Sequence, residues 1–294
     1  MARTYNLADH ATNHVKSGVA FMNMSSERKP MRIWYQLLSS ETGMNNSIAA
    51  TQAIADKAAA PGTIVEVRGT TNGALGDNYR LFWHLDTREV IANALRIRQN
   101  KNYDAFVLAN SLDPGLVELR EMLDIPVVSF MEVCCFTACM MGERFGILVS
   151  NEKFAPRYRE IAIGYGLRDR LAAVEATGFN NIREMNNVFG ATDSADRMLA
   201  ELSEAARRAI AKGADVLFAS GPKAAFLASR GIYEIDGVPL LDCYSLLVKV
   251  TEAMVAMHKI TGICVSRKGL YQSPPRELIM KAAEIHGIEE LKNG

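Results

Sequence analysis

The stretch that decides the fold begins with Asp104-Ala-Phe-Val-Leu-Ala109 and continues into the polar cluster Asn110-Ser-Leu-Asp-Pro-Gly115. About 110 residues later the chain has a second stretch of this kind, Asp215-Val-Leu-Phe-Ala219 followed by Ser220-Gly-Pro-Lys223. A short apolar run that ends in a turn-forming cluster is typical of a buried parallel strand and the loop at its carboxyl end. The sequence therefore predicts two equivalent strands, each followed by a polar loop.

The segments that flank these two stretches repeat in the same order. Arg32-Ile-Trp-Tyr-Gln36 corresponds to Phe145-Gly-Ile-Leu-Val149, and Ile64-Val-Glu-Val-Arg-Gly69 corresponds to Ala173-Val-Glu-Ala-Thr-Gly178. This spacing is too long for a solenoid repeat and fits a duplicated α/β lobe. We expect an α/β fold with two pseudo-symmetric lobes, each a parallel sheet flanked by helices. Ligands bind outside the carboxyl ends of parallel strands, so the active-site cleft should lie between the lobes, at the two loops.

Turn residues and helical periodicity divide the chain further, and they predict a helix over about Thr87 to Asn100. The apolar run Val238-Pro-Leu-Leu241 is predicted as a parallel strand of the second lobe, and the helix Tyr244–Thr261 is expected to pack back on the first lobe. Residues Thr70 to Tyr79 are rich in Thr, Asn and Gly and are a candidate for a mobile loop or lid. The predicted units are an N-terminal arm (1–30), a first lobe (31–144, completed by about 241–280), a second lobe (145–240) and a C-terminal tail (281–294).

Composition restricts the classes of function. The 294 residues are 49% hydrophobic and carry a formal net charge of zero, which gives no indication of nucleic-acid binding. No apolar stretch is long enough to cross a bilayer, and the first thirty residues lack the apolar core of a secretory signal. The five cysteines are an odd number, which favours reduced thiols and a cytoplasmic protein over a disulfide framework. Cys134, Cys135 and Cys139 have helical spacing among apolar residues, so core packing is favoured over reactivity.

The order and spacing of these motifs resemble the Asp/Glu/hydantoin racemase superfamily, specifically its hydantoin and allantoin racemase branch. The resemblance extends from about Met31 to Pro275. It rests on the following segments: Met31-Arg-Ile-Trp-Tyr-Gln36, Leu108-Ala-Asn-Ser-Leu-Asp-Pro-Gly-Leu116, Ile125-Pro-Val-Val128, Glu132, Arg144-Phe-Gly-Ile-Leu-Val149 and Ala214-Asp-Val-Leu-Phe218.

The resemblance implies a cysteine at the carboxyl end of each equivalent strand, one to remove a proton from the stereocentre and one to return it. In this chain the first position is occupied by Asn110, and the second by Gly221, or by Ser220 if the loop shifts by one residue. Asparagine has no usable basicity and glycine has no side chain, so neither exchanges a proton with carbon. We therefore expect a mechanism other than that of two thiols.

The two loops supply most of the candidate site residues. Asn110 and Ser111 could bind a carboxylate or an enolate oxygen, or could only form hydrogen bonds within the loop. Ser220 and Lys223 are the reactive candidates of the second loop, and Gly221 would allow close approach of a ligand. Lys223 could bind an anionic substrate, act as a base, or be a solvated surface charge.

Other candidates lie outside the two loops. The resemblance makes Glu132 an active-site neighbour, although a carboxylate at a helix start could also interact only with the helix dipole. Tyr35 and Gln36 end the predicted first strand and could bind a small polar ligand, and Asp242 could fix a loop or contact substrate. The segment Ser266–Pro275 resembles the tail of the family and is expected to close over the cleft with Tyr271. Asp113 precedes Pro114 and is predicted to cap the following helix.

Three functions are compatible with these residues. The first is an enzyme that acts on a small carbonyl or carboxyl compound, a hydantoin-like ring or a substituted acid, through an enolate-like intermediate, with Asn110, Ser220, Lys223 and Glu132 as catalytic candidates. The second is a hydrolase that uses Ser220 or Cys135 as nucleophile, and the third is a non-catalytic small-molecule binding protein. The scattered histidines form no metal-ligand pattern, and no glycine-rich phosphate loop follows a strand, so neither a metal nor a cofactor is predicted. A homo-oligomer is the expectation that comes with the family.

Overall fold

The computed structural model describes residues 29–71, 73, 79–178, 182–190 and 192–292. The predicted N-terminal arm lies outside the described residues except for Lys29 and Pro30. Most of the candidate lid between Thr70 and Tyr79 also lies outside them.

The first lobe contains a four-stranded parallel sheet with the strand order β2-β1-β3-β4. Its inner strand β3 consists of four fully buried apolar residues, as expected for a parallel sheet that is covered on both faces. The elements in chain order are β1 (Met31–Ser40), α1 (Asn45–Ala58), β2 (Thr63–Thr70), α2 (Arg80–Asn100), β3 (Ala105–Leu108), α3 (Leu116–Met122), β4 (Val127–Ser129) and α4 (Phe130–Met141).

The second lobe repeats this topology in its parallel sheet, which has the order β6-β5-β7. Leu240 occupies the position of the fourth strand through an isolated parallel bridge to Leu217. The elements are β5 (Phe145–Val149), α5 (Ala155–Gly164), β6 (Leu171–Ala176), α6 (Ile182–Asn187), α7 (Thr192–Ala211), β7 (Val216–Ala219), α8 (Pro222–Ser229), β8 (Glu234–Ile235) and β9 (Val238–Pro239).

The chain then forms α9 (Cys243–Thr261), α10 (Arg276–His286) and α11 (Glu289–Lys292). As predicted, α9 packs back on the first lobe, where it contacts α1 and α4. The ring of Tyr244 on α9 lies against Tyr35 and Phe130, and the larger of two core clusters among the described residues extends through both lobes. Within the described residues, no helix is both long and apolar enough to span a membrane.

The hydrogen-bond register fixes which residues of the two lobes are equivalent. After the last residue of β3 the backbone N–H of Ala109 donates to Gln36 O (2.8 Å), and after the last residue of β7 the backbone N–H of Ser220 donates to Leu148 O (2.9 Å). Further on, the N–H of Asp113 donates to Asn110 O, and the N–H of Ala224 donates to Gly221 O. Asn110 is therefore structurally equivalent to Gly221.

The structure departs from the sequence-based expectations at two elements. Val238–Leu241 is not a regular parallel strand, because Pro239 has no N–H to donate to a ladder, and Val238–Pro239 pairs antiparallel with β8 instead. Helix α2 begins at Arg80 rather than at Thr87. Thr87 lies inside the helix, where its hydroxyl donates to Trp83 O (2.7 Å) instead of capping a helix start.

Candidate active site

The polar loops that follow β3 and β7 face each other across a small cavity. A Cβ atom placed on Gly221 would lie 4.0 Å from Ser111 Oγ, so the loops of the two lobes approach each other closely. The cavity has a volume of about 50 Å³ and is lined by Leu38, Ser39, Met44, Asn110 and Ser111 from the first lobe, and by Ser150, Phe154, Tyr158, Met185, Ser220, Gly221, Pro222 and Lys223 from the second. The meeting of the two loops in one cleft is the arrangement that the sequence repeat predicted.

In the first loop, Asn110 and Ser111 lie in the cavity wall. Asn110 Oδ1 accepts the backbone N–H of Leu112 (2.9 Å), which closes an Asx turn and orients the side chain. The buried Ser111 hydroxyl lies 2.6 Å from the hydroxyl of Tyr158, which reaches it from α5 of the second lobe. This hydrogen bond joins the two lobes at the cavity.

Asp113 supports the first loop from behind. It is not the cap of α3 that the sequence predicted, because its carboxylate accepts the backbone N–H groups of Met131 (3.0 Å) and Glu132 (3.3 Å) in the first turn of α4. The same carboxylate accepts hydrogen bonds from the hydroxyls of Ser129 (3.1 Å) and Tyr165 (2.6 Å). Burial raises the pKa of Asp113 to about 6, although these hydrogen bonds oppose the rise.

In the second loop, Lys223 is buried rather than a solvated surface charge. Its side chain is 1% exposed, and Nζ donates to Ser150 Oγ (2.6 Å). Ser220 is also buried. Gly221 has φ +55° and ψ −143°, a backbone conformation that only glycine adopts without strain. The backbone of this loop therefore explains why a glycine occupies the position.

Two of the other candidates lie inside the first sheet. The structure buries Tyr35 completely, and its hydroxyl donates to Tyr244 O (3.2 Å). The amide of Gln36 donates to Gly69 O (2.8 Å) and accepts from Asn93 Nδ2 (3.0 Å). Neither residue lines the cavity, because β1 extends four residues beyond Gln36 to Ser40.

Glu132, Tyr271 and Asp242 also lie outside the cavity lining. Glu132 forms a bidentate ion pair with Arg120 (2.9 and 2.5 Å), whose guanidinium also lies 5.5 Å from the ring of Tyr271. Asp242 caps α9 by accepting the backbone N–H of Ser245 (3.1 Å).

The segment Ser266–Pro275 does not close over the cleft. The guanidinium of Arg267 donates to the backbone carbonyls of Arg120 (2.5 Å) and Leu123 (2.6 Å), at the carboxyl end of α3. Carbonyl groups at the end of a helix lack partners within the helix, and a guanidinium satisfies several of them at once. This segment is therefore held against α3, away from the two loops.

Three of the five cysteines belong to the core. Cys134, Cys135 and Cys243 are fully buried, and burial raises the pKa of Cys134 and Cys135 well above the usual value for a thiol. None of the three lines the cavity, so Cys135 does not have the position of a nucleophile. Core packing, which the helical spacing favoured for Cys134, Cys135 and Cys139, is confirmed for Cys134 and Cys135, whereas Cys139 is half-buried at the edge of the core.

Sequence reasoning missed Ser150, Phe154, Tyr158 and Met185, all of which line the cavity. Ser150 directly follows β5, so its position at the carboxyl end of a strand could have revealed it. The other three reach the cavity only because the lobes dock, and that docking leaves no local pattern in the sequence. Among the residues that the structure describes, no group of three or more His, Cys, Asp or Glu side chains is arranged to hold a metal ion.

Comparison with known proteins identifies the family. Residues 42–263 match the model of the Asp/Glu/Hydantoin racemase family, and the chain belongs to this family. A hydantoin racemase of Paenarthrobacter aurescens is 25% identical over 233 residues, covering 78% of this chain and 94% of that protein.

Solved structures of the same fold agree with this assignment. The allantoin racemase from Klebsiella pneumoniae superimposes with a TM-score of 0.71 at 23% identity, covering 83% of this chain and 94% of that one. An arylmalonate decarboxylase gives a TM-score of 0.50 at 15% identity, covering 81% of this chain and 96% of the other. The fold is thus shared with proteins that are named for different reactions.

Proposed function

We propose that this protein is an enzyme that acts on a small carbonyl or carboxyl compound, a hydantoin-like ring or a substituted acid, through an enolate-like intermediate. The substrate would bind in the cavity between Asn110–Ser111 and Ser220–Lys223. Family membership and the hydantoin racemase relative support this class of substrate. The observation that carries the proposal is the buried amine of Lys223, which lies in the cavity and is held by Ser150.

The chemistry follows from the groups in the cavity wall. Removal of a proton next to a carbonyl places negative charge on the carbonyl oxygen, and fixed donors in a water-poor site stabilise that charge. Lys223 can take the proton when its amine is neutral, or stabilise the oxygen when it is an ammonium ion. Asn110 supplies an amide donor from the opposite lobe, and the positive end of the α8 dipole lies on the side of Lys223.

A reaction by two thiols is not supported, because none of the cavity-lining residues that the structure describes is a cysteine. The enolate-like state is common to racemisation, decarboxylation and lyase reactions, and the proposal covers this step rather than one of the three outcomes. A hydrolase that uses Ser220 receives less support, since no histidine is present among the described lining residues to act as its base.

The test is proton NMR of the purified protein in D₂O with hydantoins, allantoin, amino acids, substituted malonates and maleate. Deuterium at a stereocentre of an otherwise intact substrate would show racemase chemistry, and loss of CO₂ would show decarboxylation. A ring-opened product would favour the hydrolase instead. If no compound in the panel changes, the proposal of an enzyme of this class fails and a binding protein becomes the better explanation.

A matched pair of variants tests the role of Lys223. Lys223→Met keeps the length of the side chain and removes the amine, so turnover should fall by about 10²- to 10⁴-fold. Lys249→Met is the control, because Lys249 is more than half exposed and pairs with Glu252 on the surface of α9. Thermal unfolding of both variants would separate loss of chemistry from loss of fold. Activity retained in folded Lys223→Met would contradict the proposal.

A further inference from the structure

Helix α5 presents two tyrosines to the loop of the opposite lobe. Tyr158 and Tyr165 are seven residues apart, which is about two helical turns and places them on the same side of α5 and the turn that follows it. Tyr158 is bonded to Ser111, and Tyr165 is bonded to Asp113, in both cases at 2.6 Å. Two residues of the first-lobe loop are thus tied to one helix of the second lobe.

The loop needs such support because its backbone is strained. Asp113 has φ +45°, a left-handed conformation that is uncommon for residues other than glycine and persists only where surrounding contacts enforce it. Ser111, Asp113 and Tyr158 are all less than one-tenth exposed. Loss of the Tyr158 hydroxyl would remove the hydrogen bond of the buried Ser111 hydroxyl, and loss of the Tyr165 hydroxyl would remove one of the four hydrogen bonds that the Asp113 carboxylate accepts. The two tyrosine contacts are therefore strong determinants of the loop conformation.

We propose that Tyr158 and Tyr165 are positioning residues for the reaction, which hold Asn110 and Ser111 in the cavity wall opposite Lys223. This inference rests on the proposed function for its chemical meaning. Tyr158 acts directly on Ser111, and Tyr165 acts through Asp113, two residues further along the same loop.

Hydrogen exchange of the full-length protein tests the contact without knowledge of the substrate. The backbone N–H groups of Leu112 and Asp113 are bonded within the loop to Asn110, so their exchange reports whether the loop keeps its conformation. Tyr158→Phe and Tyr165→Phe each remove one hydroxyl and retain the ring. Loss of one buried hydrogen bond should increase exchange in a peptide over residues 108–116 by about fivefold or more.

Tyr35→Phe is the matched control. It removes a fully buried tyrosine hydroxyl, bonded to Tyr244 O rather than to the loop, and should leave exchange of the loop peptide unchanged. Unchanged loop exchange in both Tyr158→Phe and Tyr165→Phe would overturn the inference, whatever the activity of the protein.

Kinetics of a substrate found in the NMR panel then separates positioning from a purely structural role. A positioning role predicts that both variants lower kcat by about tenfold and change KM by a smaller factor. Their melting temperatures should equal that of the Tyr35→Phe control. Faster loop exchange with unchanged kcat would show that the contacts are only structural and would overturn the proposal. Failure of the wild-type protein to convert any compound would instead refute the proposed function, and the exchange data would remain interpretable.

Discussion

Replacement of Gly221 by alanine tests whether the backbone of the second loop is as constrained as the structure indicates. A Cβ atom at this position would have only Ser111 Oγ near it, at 4.0 Å, so the cost is not a steric clash. The cost comes from φ +55° and ψ −143°, which alanine adopts only with strain of about 1–3 kcal/mol. We expect the free energy of unfolding to fall by this amount.

The comparison with Gly262→Ala makes the prediction specific. Gly262 follows α9 with φ 72° and ψ 5°, an ordinary left-handed conformation, and a Cβ there would meet nothing within 4 Å. Alanine in that region costs about 1–2 kcal/mol, so Gly221→Ala should be as destabilising or more so. Equilibrium unfolding in urea at one protein concentration would measure both variants.

A Gly221→Ala variant as stable as the wild-type protein would refute this reasoning. The same strain applies to Gly221→Cys, because any L-residue has the same backbone restriction. A thiol placed at Gly221, the residue equivalent to Asn110, would therefore destabilise the loop that is meant to hold it. If Gly221→Cys proves neutral, the absence of cysteine at this position has no conformational explanation.

Three further perturbations have defined outcomes. Arg267→Ala should increase hydrogen exchange and proteolysis across residues 264–286, because the segment loses its hydrogen bonds to the end of α3. Unchanged exchange would show that other contacts hold the segment in place. The folded-state pKa of Asp113, about 6, lies above its unfolded value, so the folded protein binds more protons than the unfolded chain between about pH 4 and 6. Because of this residue, the free energy of unfolding should fall by about 3 kcal/mol as the pH rises through that window. Asp113→Asn should remove that contribution in urea titrations from pH 4 to 7, with Glu132 and Tyr165 left in place, whereas parallel wild-type and variant profiles would contradict it. Alkylation followed by mass spectrometry should label the partly exposed Cys139 and Cys264 first, and early labelling of a buried thiol would contradict the packing described for Cys134, Cys135 and Cys243.

Much of the fold could be predicted because its strands are buried on both faces. Ala105–Leu108 and Val216–Ala219 are uninterrupted apolar runs bounded by polar clusters, and this pattern depends only on nearby residues. The prediction of a parallel strand at Val238–Leu241 was wrong, because Pro239 has no N–H to donate to a ladder although the segment is apolar. The start of α2 was missed because Thr87 bonds back within the helix instead of capping it.

The candidate site could be predicted only where the position of a residue depends on nearby sequence and on topology. Asn110, Ser111, Ser220, Gly221 and Lys223 directly follow their strands, and topology alone brings them to the cavity.

Residues whose placement depends on side-chain direction or on the packing of distant elements could not be assigned in this way. Glu132 is turned toward Arg120, and Tyr35 and Gln36 lie within a longer strand than expected. Conversely, Tyr158 reaches Ser111 only through the docking of two lobes, which no short-range pattern encodes.

The register of the repeat leads to a final prediction about stereochemistry. Counting from the equivalent pair Asn110 and Gly221, Lys223 corresponds to Leu112, so the amine lies on one lobe and has no charged counterpart at the equivalent position of the other. Proton exchange at both faces of a stereocentre requires a second group, and the Ser111 hydroxyl, which Tyr158 holds in position, lies on the first-lobe loop. If the reaction inverts a stereocentre, Tyr158→Phe should slow inversion more than it slows deuterium exchange with retention at the face of Lys223. Chiral chromatography and proton NMR of one reaction in D₂O would give both rates, and an equal decrease in the two would place the second proton donor elsewhere.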